Sequence, residues 1–259
     1  GDEPRLYSRE ELARRQVAAG FTLEDMELIL APMAEDAKEA IGSMGDDSPL
    51  AVLSEKYRPL SHFFRQNFSQ VTNPPIDPLR EERVMSLKTR FKNLGNILAQ
   101  DEAQTDVFVL ESPFLSTGMY IRMRELLGDG VAAIDCTYDA PADPADNAEA
   151  LRNALERIKA EAEDAVRAGR GQIVLSDKHQ GPGRIAAPMI LATGGVHSHL
   201  VRQGLRSYCS LTVRSAECMD THYFAVLVGV GATCVNAYLA QDCLSDRWER
   251  GLLPGLTLG

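Results

Sequence analysis

The sequence predicts an α/β fold: a mostly parallel sheet of βα units, preceded by a helix- and loop-rich segment. Three features point there. From about residue 131 onward, short apolar runs alternate with long helical stripes. Over the first 110 residues, helix-cap and proline chemistry dominates instead. Finally, 259 residues with 44% hydrophobic and 25% charged side chains can bury a core without disulfides or metals.

The first part is punctuated by caps. Ser8 and Glu11 form a capping-box pattern that starts a helix through Val17, with its end near Gly20. Thr22 and Asp25 repeat the spacing before a second helix carrying Leu23, Met26, Leu28, Ile29 and Leu30, which Pro32 should end or kink. A third helix is expected from Glu35 to Ile41, then a loop from Gly42 to Pro49. Leu60 to Phe68 reads as a short amphipathic helix. Val71 to Pro78 holds three prolines in five residues and predicts a rigid extended loop. Asp77 and Pro78 are the N-cap and first-turn residues of the next helix.

The second part carries four repeats of strand and helix. The strands are VAAIDCTY from Val131, QIVLSD, CSLTVRS and ATCVNAY. The helices are Asp146 to Ala168, Ala187 to Leu205, Asp220 to Val228, and Leu239 to Glu249. The βαβαβαβα order implies right-handed crossovers and a parallel sheet. Four such units make half of a (β/α)8 barrel, and an open doubly wound sheet fits the same order. The chain thus reads as one unit, 1–259, with a helix- and loop-rich part to 110 and a βα part from 111.

Charge and cysteine usage narrow the function classes. A net charge of −10 opposes a nucleic-acid footprint, and the basic run Lys88, Arg90 and Lys92 reads as a solvated face. Five cysteines in no C-x-x-C pair suggest neither a disulfide framework nor a zinc site, and suit a reducing cytoplasm. No apolar stretch approaches the ~20 residues of a membrane span. The start has no signal-peptide character and no Met, so the chain reads as a piece of something longer or a processed product.

Candidate chemistry sits first at strand carboxyl ends, where parallel α/β folds place their sites: Asp135, Asp177, Arg214 and Asn236. The following segment DKHQGPGR, with Lys178, Gly181, Gly183 and Arg184, could cradle a phosphate but matches no P-loop spacing. GVGAT, from Gly229, reads as a helix-to-strand turn. His197 and His199 point to different helix faces, and His222 with Cys218 makes a weak metal pair. His62 and His179 stand alone. None of these forms a convincing catalytic constellation.

Three blocks carry a family resemblance: Leu30 to Ser54, Phe63 to Leu87, and His222 to Asp242. They resemble the central domain of bacterial glutamate synthase large subunits. The resemblance implies a fold related to a rudimentary (β/α)8 barrel and a non-catalytic role linking two partner domains of one chain. One partner is a glutaminase domain with a terminal cysteine. The other is an FMN domain with an iron–sulfur cluster, which makes glutamate from ammonia and 2-oxoglutarate. A small reductase subunit is a further implied partner. No cofactor or metal is implied for this domain, and it should be inactive alone. The resemblance also implies an ammonia tunnel partly walled here, its residues matching Thr72, Asn73 and Ile76 in VTNPPI and Met44 and Gly45 in SMGDD.

Overall fold

The computed structural model describes residues 5–39, 59–64 and 76–256. Its centre is a four-stranded parallel sheet of β3 (Val131–Asp135), β5 (Gln172–Ser176), β7 (Ser210–Arg214) and β8 (Cys234–Asn236), paired in that order. The helices α6 (Asn147–Arg167), α7 (Met189–Arg202), α8 (Thr221–Gly229) and α9 (Tyr238–Glu249) follow these strands in turn. Each crossover moves the chain one strand in the same direction. A doubly wound sheet would reverse that order, so the winding is that of a barrel. Among the described residues the sheet stays open. Pro113–Leu115 extends it past β8, with Leu115 N–H donating to Val235 O and Val235 N–H to Pro113 O.

The pleat sorts the side chains into two layers. Ile134, Ile173, Leu175, Leu211, Val213 and Val235 face one way and join the main core with Ile158, Val196, Leu200, Leu227 and Leu239 from the helices. Helix α6 shows why it lies there: Ala154, Ile158, Ala162 and Val166 form one buried stripe along its length. Gly169, at φ +85°, terminates that helix as a left-handed residue. On the opposite face Val174 and Cys234 meet Leu115, Phe91 of β1 (Thr89–Phe91), and Tyr120 and Met123 of α5 (Thr117–Leu127). A closed barrel would hold its interior on that face; here α5 covers it.

Several local expectations are corrected. VAAIDCTY is two strands, because after β3 the chain changes partner. Cys136 N–H donates to Ser176 O, Ala187 N–H donates to Cys136 O, and Thr137–Asp139 (β4) then pairs antiparallel with Arg184–Ala186 (β6). Pro32 does not end its helix. Leu23–Asp25 (α2) passes through a π-helical turn, Met26–Leu30, into Ala31–Asp36 (α3), so the helical path runs on past Pro32 with a π-helical distortion just ahead of it. Ala37, at φ +51°, ends α3 where the sequence suggested a helix to Ile41. Leu60–Phe63 is a 3₁₀ turn and Phe64 is extended, so no helix runs on through Phe64. The first part also contains a small antiparallel pair, β1 with β2 (Phe108–Leu110), that alternation did not reveal.

Other caps fall where expected. Ser8 accepts from Glu11 N–H ahead of α1 (Arg9–Ala18), Thr22 and Asp25 form a complete capping box, and Asp77 accepts from Arg80 N–H ahead of α4 (Pro78–Val84). The end of β3 is met by a side chain of α6. Arg157 donates to Asp135 O at 3.0 Å and Thr137 O at 2.9 Å.

Candidate functional site

The sheet register places Asp135, Ser176, Arg214 and Asn236 at one level, side by side at the strand carboxyl ends. Their environments divide them. Asp135 turns toward the β4–β6 pair, 2.9 Å from Arg184 and 3.3 Å from His179. Burial works against its charge, but hydrogen bonds from Thr137 and His179 outweigh it and hold the carboxyl below its usual range. Arg184 also binds Thr137 and Asp139, so it braces the β4–β6 pair and is not free to cradle a phosphate with Lys178.

Asp177, one residue past Ser176, gathers with Arg214 and Asn236 at the centre. Asp177 is sealed from solvent and accepts from Tyr238 Oη–H and Ala216 N–H, each at 2.7 Å. Burial pushes its carboxyl up to about 7, against those two hydrogen bonds. Asn236 Nδ2 donates to Leu115 O at 3.0 Å, and its Oδ1 accepts from Arg214 Nε at 3.0 Å. The Arg214 guanidinium lies 4.1 Å from the Tyr120 ring centre and 5.2 Å from that of Tyr238.

The cluster is completed by residues that sequence reasoning did not single out. Tyr7 enters from the amino-terminal arm, its ring 6.3 Å from Tyr238 and under the Arg15 guanidinium at 4.2 Å. Arg15 Nη1 donates to Lys178 O at 3.1 Å. Asp242 Oδ2 accepts from Leu6 N–H and Tyr7 N–H, which holds the arm over the strand ends. The only sequence signal was the local pattern of each segment; Tyr7 and Tyr238 meet through tertiary folding alone.

The remaining candidates resolve into structural contacts. His197 receives a hydrogen bond from Arg206 and packs so closely on Gly231, itself at φ +123°, that its ring leaves no room there for a Cβ. His199 pairs with Glu163 at 2.6 Å, and His222 contacts Ser61 O rather than Cys218. All five cysteines are buried and free, and burial pushes every one of their thiols up. Lys88 and Lys92 pair with Glu111 and Asp106 on the surface. Among the described residues, no three His, Cys, Asp or Glu side chains could hold a metal, and no helix is long and apolar enough to cross a membrane.

Of the tunnel residues implied by resemblance, Ile76 is described: it is half-buried, just ahead of the Asp77 cap of α4. Met44, Gly45, Thr72 and Asn73 lie outside the described residues.

Residues 14–257 match the family model of the glutamate synthase central domain. The chain belongs to that family. It is 62% identical over 256 residues to the glutamate synthase [NADPH] large chain of Azospirillum brasilense, covering 99% of this chain and 17% of that one. It is 41% identical to ferredoxin-dependent glutamate synthase 2 of Synechocystis, over 91% of this chain and 15% of the relative. A glutamate synthase [NADPH] large chain of Bacillus subtilis is 36% identical over 96% of this chain and 16% of its own length. The chain thus spans about a sixth of the length of these relatives.

Proposed function

We propose that this chain is the non-catalytic connecting domain of a glutamate synthase. It joins a glutaminase domain to an FMN domain of the same parent chain and walls part of the ammonia path between them. The observation that carries this reading is the match of residues 14–257 to the central-domain family, within relatives six times longer. In the parent, glutamine and 2-oxoglutarate yield two glutamates in the cytoplasm. FMN and the iron–sulfur cluster sit in other domains, and a small reductase subunit is a further partner. The division near residue 110 separates a loop-rich part that contacts the neighbouring domains from the βα part that supports it.

Two features support the connector role. At the strand ends, where a barrel enzyme would hold its acid–base machinery, the protein's own Tyr120 and Tyr238 pack on the Arg214 guanidinium and Tyr7 lies beside Tyr238. An apolar groove of about 730 Å³, lined by Met33, Phe114, Met219, Phe224 and Leu244 among others, offers a face for another part of the parent to pack on.

The ammonia path is assigned to the loops carrying Met44 and Gly45, and Thr72, Asn73 and Ile76. Neutral side chains on a proline-stiffened backbone suit it, because such walls neither protonate ammonia nor trap it. The test is coupling in the full-length enzyme. Thr72→Ala or Asn73→Ala should lower glutamine-driven glutamate formation and release free ammonia, while glutaminase turnover and ammonia-driven synthesis change less. Unchanged coupling in both variants would remove the tunnel assignment.

A further inference from the structure

Arg214 is an oddly placed cation. It is 5% exposed, at the carboxyl end of a central strand. A buried guanidinium normally pairs with a carboxylate, because an unpaired buried charge is costly. Here Nε donates to the neutral Asn236 amide, the guanidinium lies against the Tyr120 and Tyr238 rings, and among the described residues no carboxylate pairs with Arg214. The two acids nearby are otherwise engaged. Asp177 takes donors from Tyr238 and Ala216, and Asp242 takes the amides of Leu6 and Tyr7.

The positive charge does not stop at Arg214. The Lys178 ammonium forms no ion pair among the described residues, and lies within electrostatic reach of Arg214, Arg15 and Arg124, with Asp242 acting in the opposite sense. Its burial and then their repulsion push its pKa down. Arg15 is fixed in place by Glu11 and by Lys178 O, and stacks on Tyr7. The Tyr7 hydroxyl is buried without a hydrogen-bond partner. Burial raises its pKa, so it stays protonated and able to donate. Two cations without an ion pair and one orphan donor therefore lie in one neighbourhood at the strand ends, and the nearby acid, Asp242, already holds the Leu6 and Tyr7 amides.

We propose that the strand-end mouth of this half-barrel is a binding site for a small oxyanion, held by Arg214, Lys178 and the Tyr7 hydroxyl. The ligand class is a phosphate or a short carboxylate. A flat guanidinium beside an ammonium suits the two or three oxygens of such a group. The amino-terminal arm supplies Tyr7 and Arg15, so occupancy fastens the arm to the strand ends.

The test is calorimetric titration of the full-length protein with inorganic phosphate and, separately, with glutarate, with chloride as the control. The wild type should show saturable heat with one or both oxyanions, and the stronger arm identifies the source. Lys178→Met should weaken that component roughly tenfold and Tyr7→Phe by a smaller factor, since a charge-assisted bond is worth more than a neutral one. Arg214→Met should abolish it. Lys178 is half-buried, so its variant keeps the test valid should Arg214→Met fail to fold. Heats identical in wild type, Lys178→Met and Tyr7→Phe would overturn the proposal. So would a structure of the full-length protein with a carboxylate of another domain seated on Arg214.

Discussion

Helix α6 and the arm from Arg5 to Ala18 lie on one scaffold but are held to it by opposite means. Helix α6 presents an unbroken buried stripe to the sheet, and its pairs Arg157–Glu161 and Arg167–Glu163 flank that stripe. From α1, only Leu12 is buried. The arm depends instead on Asp242, which takes two backbone amides, and on Asp246, which takes Arg5 and Arg9. Apolar attachment is indifferent to salt and fails only with the whole core. Charged and hydrogen-bonded attachment is local and can be released while the sheet stays intact.

The largest effect should come from the apolar side. Leu211, fully buried in β7, changed to alanine should cost about 2–5 kcal/mol in denaturant unfolding, equally at low and high salt. A cost below about 1 kcal/mol would mean that the sheet is not the stabilising centre. Next is Asp242→Ala, which strands two backbone donors and should cost the arm about 1–3 kcal/mol. Hydrogen exchange should quicken at Leu6, Tyr7 and α1, with β5 and β7 unchanged; equal loss of protection in the sheet would erase the distinction. The smallest effect belongs to Asp246→Ala. Its partners Arg9 and Arg250 are 61% and 51% exposed and the Arg5 contact is long at 3.5 Å, so the cost should be about 1 kcal/mol. That cost should vanish near 1 M salt.

The same division explains what could be read in advance. The four βα units were legible because each strand is a short apolar run and each helix a stripe, and both patterns are local. The break at Cys136 was not: VAAIDCTY is a continuous pattern, and the change of partner is decided by Ser176 and Ala187, which are distant in sequence. The π-helical turn at Met26–Leu30 likewise leaves no mark in composition. At the strand ends, Asp177, Arg214 and Asn236 could be named from position alone. Tyr7, Arg15 and Tyr238 could not, since nothing local in GDEPRLYSRE says that its tyrosine will lie beside a strand end over two hundred residues away. The tunnel residues rested on kinship, and four of the five lie outside the described residues.

A barrel that closes has no edges, and a sheet that stops halfway has two. Strand β3 pairs only with β5 among the described residues, which leaves its other flank a template for any unpaired strand. Arg157 answers part of that hazard. By occupying the carbonyls of Asp135 and Thr137, its guanidinium takes acceptors that an incoming strand would need. A side chain that first looks like a helix-to-strand brace thus also blunts an open sheet edge, with the carbonyls at that end already taken.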